Sequence, residues 1–211
     1  MKIGIITFFK NSFNYGGVLQ SYALVEVLKK NNYDTKQLQL EIYPMKKSKL
    51  LTLLRLLRKN GIKATWEYVD FQYLRRFYTQ CQKIDFSLTI KKFRSFRNDI
   101  PASDNIELME NEKLDMDFDY YITGSDQVWN PKWMTDQEVL AFVKDDATRI
   151  SYAASIGRFD FTNYEKNFLG NAIKKFKAVS VREEKAVEFL KENYGVSAQV
   201  VLDPTLLLTK G

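Results

Sequence analysis

The densest run of chemically capable side chains is residues 124–131, GSDQVWNP. Ser125, Asp126, Gln127, Trp129 and Asn130 bring a hydroxyl, a carboxylate, two amides and an indole into one loop. Sugars are held by that mixture, with the ring stacked on the aromatic and hydroxyls on amides and carboxylates. The competing reading is a proline-terminated loop in which Asp126 caps a helix. A second candidate is Asn14-Tyr15-Gly16-Gly17, at the start of a helical pattern. Glycines allow close backbone approach, and free amides at a helix start attract a phosphate, a carboxylate or a sugar hydroxyl. The alternative is a tight turn that needs positive φ, and the pattern falls short of a full GxGxxG. Arg182 ends an otherwise apolar strand. Its guanidinium could hold a phosphate or carboxylate bidentately, or pair with Glu183, Glu184 or Asp203.

Composition removes other chemistries. The chain has 211 residues, no histidine and a single cysteine, Cys81. No mechanism can rest on a histidine of this chain, and no internal disulfide can form. Cys81 reads as a reduced, partly buried thiol. Asp115, Asp117 and Asp119 imitate the start of a calcium loop, but Tyr120 stands where that loop needs glycine. They read as a solvated lead-in to a strand. Paired-cysteine zinc motifs, a P-loop and a nucleophile elbow are all missing, and no metal is expected. The net charge of +6 favours anionic partners. No nucleic-acid recognition motif accompanies it.

The elements that must position these residues follow from periodicity. Residues 2–7, KIGIIT, read as a strand, and Val18, Tyr22, Val25 and Leu28 mark one face of the helix that follows. Residues 35–40, 119–123, 149–154, 178–182 and 199–202 read as further strands, and residues 163–176 and 183–193 as helices. Ser180 and Glu183 stand at capping-box spacing. Strands alternating with helices predict an α/β fold with a parallel sheet covered on both faces. Residues 46–97 carry much of the positive charge and are expected to be a basic helical insertion. Its start, with leucines at 50, 53, 54 and 57, reads as a core-facing helix with a charged outer face. The alternative is a helix lying on an anionic membrane surface. The expected layout is one domain over 1–202, with 203–211 opening a linker. The polar and glycine-rich clusters at 11–17, 124–130, 155–157, 182–183 and 203–204 all follow strands. In open α/β sheets, ligands bind at the carboxyl ends of strands.

Taken together, GIITFFKNSFNYGGVLQSYAL, YYITGSDQVWNP, ISYAASIG, SVREEKAVEFL and VVLDPTLLL strongly resemble the polysaccharide pyruvyl transferase family, in order and in spacing. The resemblance spans residues 2–208 and is absent from the basic middle. It implies a Rossmann-like domain similar to the N-terminal domain of a GT-B glycosyltransferase. It also implies transfer of pyruvate from phosphoenolpyruvate onto a sugar of an exopolysaccharide or cell-wall glycan, as a cyclic ketal, without a cofactor. On this resemblance, Arg182 is the cation expected to hold phosphoenolpyruvate. Asn14, Gly16 and Gly17, with Gly124, Ser125, Gln127, Trp129 and Asn130, are expected to face the cleft and hold sugar or phosphate. Asp126 is expected to bind a hydroxyl or act as base. The acceptor would be a sugar or a lipid-linked glycan.

Family members continue past the DPTLLL segment into a second Rossmann-like domain with an Arg-x-His motif. This sequence ends at Gly211. The expectation is that the chain by itself lacks pyruvyl transferase activity and works with that C-terminal domain as a partner. Rival readings are a glycosyltransferase half-domain binding a nucleotide-sugar, a non-catalytic glycan-binding module, and a membrane-surface protein acting through its basic helices. No signal-peptide pattern opens the chain, and its longest apolar run is far short of a bilayer span. A cytoplasmic location is expected, with the inner membrane surface as the place for peripheral contact.

Overall fold

The computed structural model describes residues 1–9, 14–43, 87–109, 112–114 and 116–208. The chain divides into two compact units, residues 1–43 with 96–211, and residues 44–95. The basic leucine-rich segment and Cys81 lie outside the described residues. What is described of the second unit is the beginning of helix α2, Ser87–Asn98.

The first unit is built on seven parallel strands. They are β1 (Lys2–Ile6), β2 (Asp34–Tyr43), β3 (Ala102–Met109), β4 (Tyr120–Thr123), β5 (Arg149–Ala154), β6 (Ala178–Val181) and β7 (Gln199–Val200). Their order is β3-β2-β1-β4-β5-β6-β7, a Rossmann-like arrangement. The chain grows outward from β1 to β3, then returns to place β4 on the other side of β1. That reversal is the topological switch point, where neighbouring crossovers diverge and leave a crevice. Helices α1 (Tyr15–Lys30), α3 (Asn163–Ile173) and α4 (Glu184–Tyr194) flank the sheet.

Ile3, Ile5 and Ile6 are buried along β1 because its central place covers both faces. Leu38, Leu40, Leu108, Leu140 and Phe142 form one core cluster. Trp129, Leu169, Ile173, Val181 and Leu190 belong to another. The β4–β5 crossover, residues 124–148, is a run of turns with a short 3-10 helix, Asp146–Thr148, and its apolar side chains fill the core.

Two departures from the sequence reading have clear causes. Strand β3, ASDNIELM, was not anticipated: it exposes Asp104, Asn105 and Glu107, as an edge strand can. Pairing with β2, from Gln37↔Ala102 to Tyr43↔Met109, makes it a strand, and no apolar run announces that. The capping box expected at Ser180 and Glu183 is elsewhere. Thr162 and Glu165 form it at α3, each side chain bonded to the other's backbone N–H. Ser180 lies within β6, its hydroxyl donating to Ser151 O at 2.8 Å, and Glu183 makes no cap bond at α4.

Candidate functional site

The strands are parallel, so the segments that leave β1, β4, β5, β6 and β7 emerge along one rim of the sheet. At the switch point they are tied by a buried glutamine. Gln20 lies one turn past the glycines of α1 and is 2% exposed. Its Nε2 donates to Thr7 Oγ1 at 2.8 Å and to Gly17 O at 2.7 Å. Its Oε1 accepts from Ser125 N at 3.1 Å, and the Thr7 hydroxyl donates to Ser125 O at 3.2 Å. One side chain thus joins the exit of β1, the first turn of α1 and the loop after β4. A buried amide is stable only when its polar atoms are met in this way.

Asn14 is the N-cap of α1, and its side chain accepts from Gly17 N at 3.3 Å. Gly16 is exposed and Gly17 is buried, both within the first helical turn. Neither has a positive φ, so a tight turn is not what calls for glycine there. A Cβ at Gly16 would meet only Asn14 Oδ1, at an ordinary 3.4 Å.

The loop after β4 divides into two parts. Gly124, with φ of 108°, presses on β5 so closely that a Cβ would lie 2.3 Å from Tyr152 O. Ser125 is buried, and Asp126 and Gln127 are half-buried. Asp126 has φ of 71°, and its Oδ1 accepts from Gln127 N at 2.7 Å. Its backbone carbonyl takes bonds from Val128 N and Ser155 N. No α-helix follows, so Asp126 folds its own turn and caps no helix.

Trp129 and Asn130 depart from the expectation. Trp129 is fully buried, its Nε1 donates to Glu138 O at 3.3 Å, and its ring meets Phe176 edge-on. It offers no face to a sugar. Asn130, 3% exposed, donates to Gln127 Oε1 at 2.8 Å and accepts from Lys132 N at 3.0 Å. Both side chains turn inward because the crossover lacks a regular helix and must supply core from its own turns.

Farther along the rim, Arg182 follows β6 and pairs with Asp203, Nη1 to Oδ2 at 2.9 Å. Ser125 Oγ donates to the same oxygen at 3.1 Å. Thr205 N and Thr205 Oγ1 donate to Asp203 Oδ1 at 3.0 and 2.7 Å, capping the short 3-10 helix Pro204–Leu207. Burial pushes the Asp203 carboxyl up, but hydrogen bonds from Thr205, Arg182 and Ser125 outweigh it and hold it below its ordinary value. An open cavity of about 650 Å³ lies here, lined by Tyr152, Arg182, Leu202, Asp203, Leu206 and Leu207 among others. The Tyr152 hydroxyl donates to Leu202 O at 3.2 Å. Burial, then the nearby Asp203 charge, raises the Tyr152 phenol above its ordinary value.

Glu183, next along the chain, faces other groups. Its Oε1 accepts from Ser155 Oγ and from Gly157 N, joining the exit of β5 to the start of α4. Its Oε2 is buried without a partner among the described residues.

Among the candidates, Gly17, Ser125 and Arg182 are thus connected through Gln20, which no motif marks, and Asp203, one of the three acids expected as a partner for Arg182. Gln20 carried a faint signal, as a long polar side chain beside the apolar face of α1. Asp203 stands before Pro204 as a cap and was open to pairing with Arg182, but its bond from Ser125 has no signal in the sequence. Asp117 and Asp119 engage Lys2, the first at Nζ and the second at the backbone N–H. Among the described residues, no group of three or more His, Cys, Asp or Glu could hold a metal ion. None of the described helices is long and apolar enough to cross a membrane.

Comparison with curated proteins and with solved structures yields no match. The family model for polysaccharide pyruvyl transferases matches residues 14–211, from the cap of α1 to the last residue of the chain. That span includes the glycine turn, the loop after β4, Arg182 and Asp203, and the chain belongs to the polysaccharide pyruvyl transferase family.

Proposed function

We propose that this chain binds phosphoenolpyruvate at Arg182 and takes part in moving its pyruvyl group onto two hydroxyls of a glycan sugar. The observation that carries the reading is the state of Arg182. Among the described residues, its guanidinium makes a single hydrogen bond, through Nη1 to Asp203, and lines an open cavity. The remaining N–H donors suit a carboxylate or a phosphate, and phosphoenolpyruvate carries both.

The chemistry requires no net oxidation. A proton adds to the methylene carbon of phosphoenolpyruvate, leaving a cation at the central carbon. One sugar hydroxyl adds there and gives up its proton. The bond from that carbon to the phosphate oxygen then breaks, and phosphate leaves. The second hydroxyl adds to the renewed cation, loses its proton and closes the ketal. The site must neutralise the donor anion and align a diol. Arg182 serves the first need. Asp126 serves the second: its Oδ2 has no hydrogen bond among the described residues, so it can accept from a sugar hydroxyl. The exposed start of α1, at Asn14 and Gly16, gives a further place for phosphate or sugar oxygens. The acceptor is a sugar of an exopolysaccharide or cell-wall glycan, free or lipid-linked.

Calorimetric titration of the chain with phosphoenolpyruvate, UDP and GDP tests this. Phosphoenolpyruvate should bind, and Arg182→Ala should weaken it by about tenfold or more. Preference for UDP or GDP with indifference to Arg182 would favour the nucleotide-sugar reading instead.

A further inference from the structure

We infer that Asp203 is a positioning residue that sets the orientation of Arg182 for its anion, with Ser125 as its support. The inference rests on the reading of Arg182 as the phosphoenolpyruvate cation. A carboxylate has two oxygens with about four acceptor positions. In Asp203 each oxygen already takes two donors. Oδ2 receives Arg182 Nη1 and Ser125 Oγ, and Oδ1 receives Thr205 N and Thr205 Oγ1. A carboxylate so fully engaged, with its pKa held low, has no free position with which to take a substrate proton. What it can do is hold its donors still.

Arg182 is the donor with most to gain. A guanidinium is a rigid plane, so fixing one nitrogen limits the direction of the others. The Arg182 side chain is 33% exposed and lines the cavity, while the Asp203 side chain is 19% exposed. The ion pair therefore lies with its acidic half deeper and its basic half toward the open side. Asp203 is itself anchored from several elements. Ser125 comes from the loop after β4, Thr205 from the 3-10 helix, and Tyr152 on β5 holds the preceding carbonyl, Leu202 O. Ser125 is anchored in turn by Gln20. The orientation of Arg182 thus depends on a hydrogen-bonded series running back to the switch point.

Simple charge counting gives the opposite forecast. Removing a negative group beside Arg182 should strengthen its attraction for an anion. Positioning says that a released arginine samples many rotamers and binds the anion more weakly. The isosteric Asp203→Asn separates the two, because it removes the charge and replaces one of the two fully engaged acceptor oxygens by a donor, with little change in shape. On the full chain, calorimetry with phosphoenolpyruvate should show Asp203→Asn weakened by about tenfold. Ser125→Ala, which leaves the ion pair but loosens it, should be weakened less. Thermal melting run in parallel separates loss of fold from loss of binding. Nitrogen-15 NMR of arginine side chains gives a ligand-free readout. Arg182 should show slow guanidinium rotation in the native chain and fast rotation in Asp203→Asn. Equal or tighter binding by Asp203→Asn overturns the inference and leaves the donor reading standing. If the native chain binds no phosphoenolpyruvate, the donor reading fails and the inference falls with it. Fast guanidinium rotation at Arg182 in the native chain overturns the inference whatever binds.

Discussion

Ser125 N donates to Gln20 Oε1 across 105 residues of sequence, at 3.1 Å, where β1 and β4 lie side by side. That bond ties the first helix to the loop after β4 at the place where the sheet changes direction. Both groups are buried, so neither has water as a substitute partner.

Gln20→Leu keeps much of the bulk but strands the Ser125 N–H and removes the donor to Thr7. The expected loss is about 3 kcal/mol, from one orphaned buried donor and the bonds given up. Urea denaturation should show a lower midpoint with an unchanged slope. A loss under about 0.5 kcal/mol, the size of an ordinary surface effect, would count against the junction.

Gly124, in the loop after β4, and Gly16, in the first turn of α1, should behave oppositely. At Gly124, alanine would combine a positive φ with a Cβ 2.3 Å from Tyr152 O, a backbone atom that cannot swing aside. Gly124→Ala should cost about 3 kcal/mol or more, or abolish soluble expression. At Gly16 the backbone is helical and the space is open. Gly16→Ala should stabilise the chain by up to about 1 kcal/mol. A stable Gly16→Ala protein that binds phosphoenolpyruvate poorly would locate the ligand at the start of α1.

Trp129 should report on the core and not on a sugar. In a chain with Trp66→Phe and Trp133→Phe, Trp129 is the remaining tryptophan, and it is fully buried. Its emission should be blue-shifted, resistant to iodide and indifferent to glycans. Trp129→Ala should destabilise by about 4 kcal/mol through the cavity left against Phe176. Quenching of Trp129 by a bound sugar would restore the stacking role.

Glu138 should make stability depend on pH. Burial raises its carboxyl above the ordinary value, and hydrogen bonds from Thr135 only partly oppose this. The folded state therefore holds the proton more tightly than the unfolded chain does. Stability then falls as pH rises from the ordinary carboxylate value, about 4, to the raised one, and the penalty stays constant above that. Glu138→Gln can still accept from Thr135 N and Oγ1 but carries no charge. The variant's advantage over the native chain should grow with pH across that window, in denaturation curves taken at a series of pH values. A constant difference would show that the carboxyl titrates normally.

Much of the architecture was legible in the residues. KIGIIT, RISYAA and AVSV mark strands because apolar and β-branched runs bounded by polar turns fit little else. Their alternation with helical patterns pointed to a parallel sheet. Direction of the chain then put Gly17, Ser125 and Arg182 after strands, on one rim. β3 stayed hidden because an edge strand with charged outward residues looks like a loop until it is paired.

The residues by themselves determined the class of fold, the family and the strand ends at which polar groups gather. These depend on composition and on spacing within a few residues. Tertiary structure alone decided that Trp129 faces the core, that Gln20 joins α1 to Ser125, and that Asp203 takes both Arg182 and Ser125. Those partners are 105, 21 and 78 residues apart for Gln20–Ser125, Arg182–Asp203 and Ser125–Asp203. Such contacts follow from the order of strands in the sheet, and side-chain periodicity carries no record of that order.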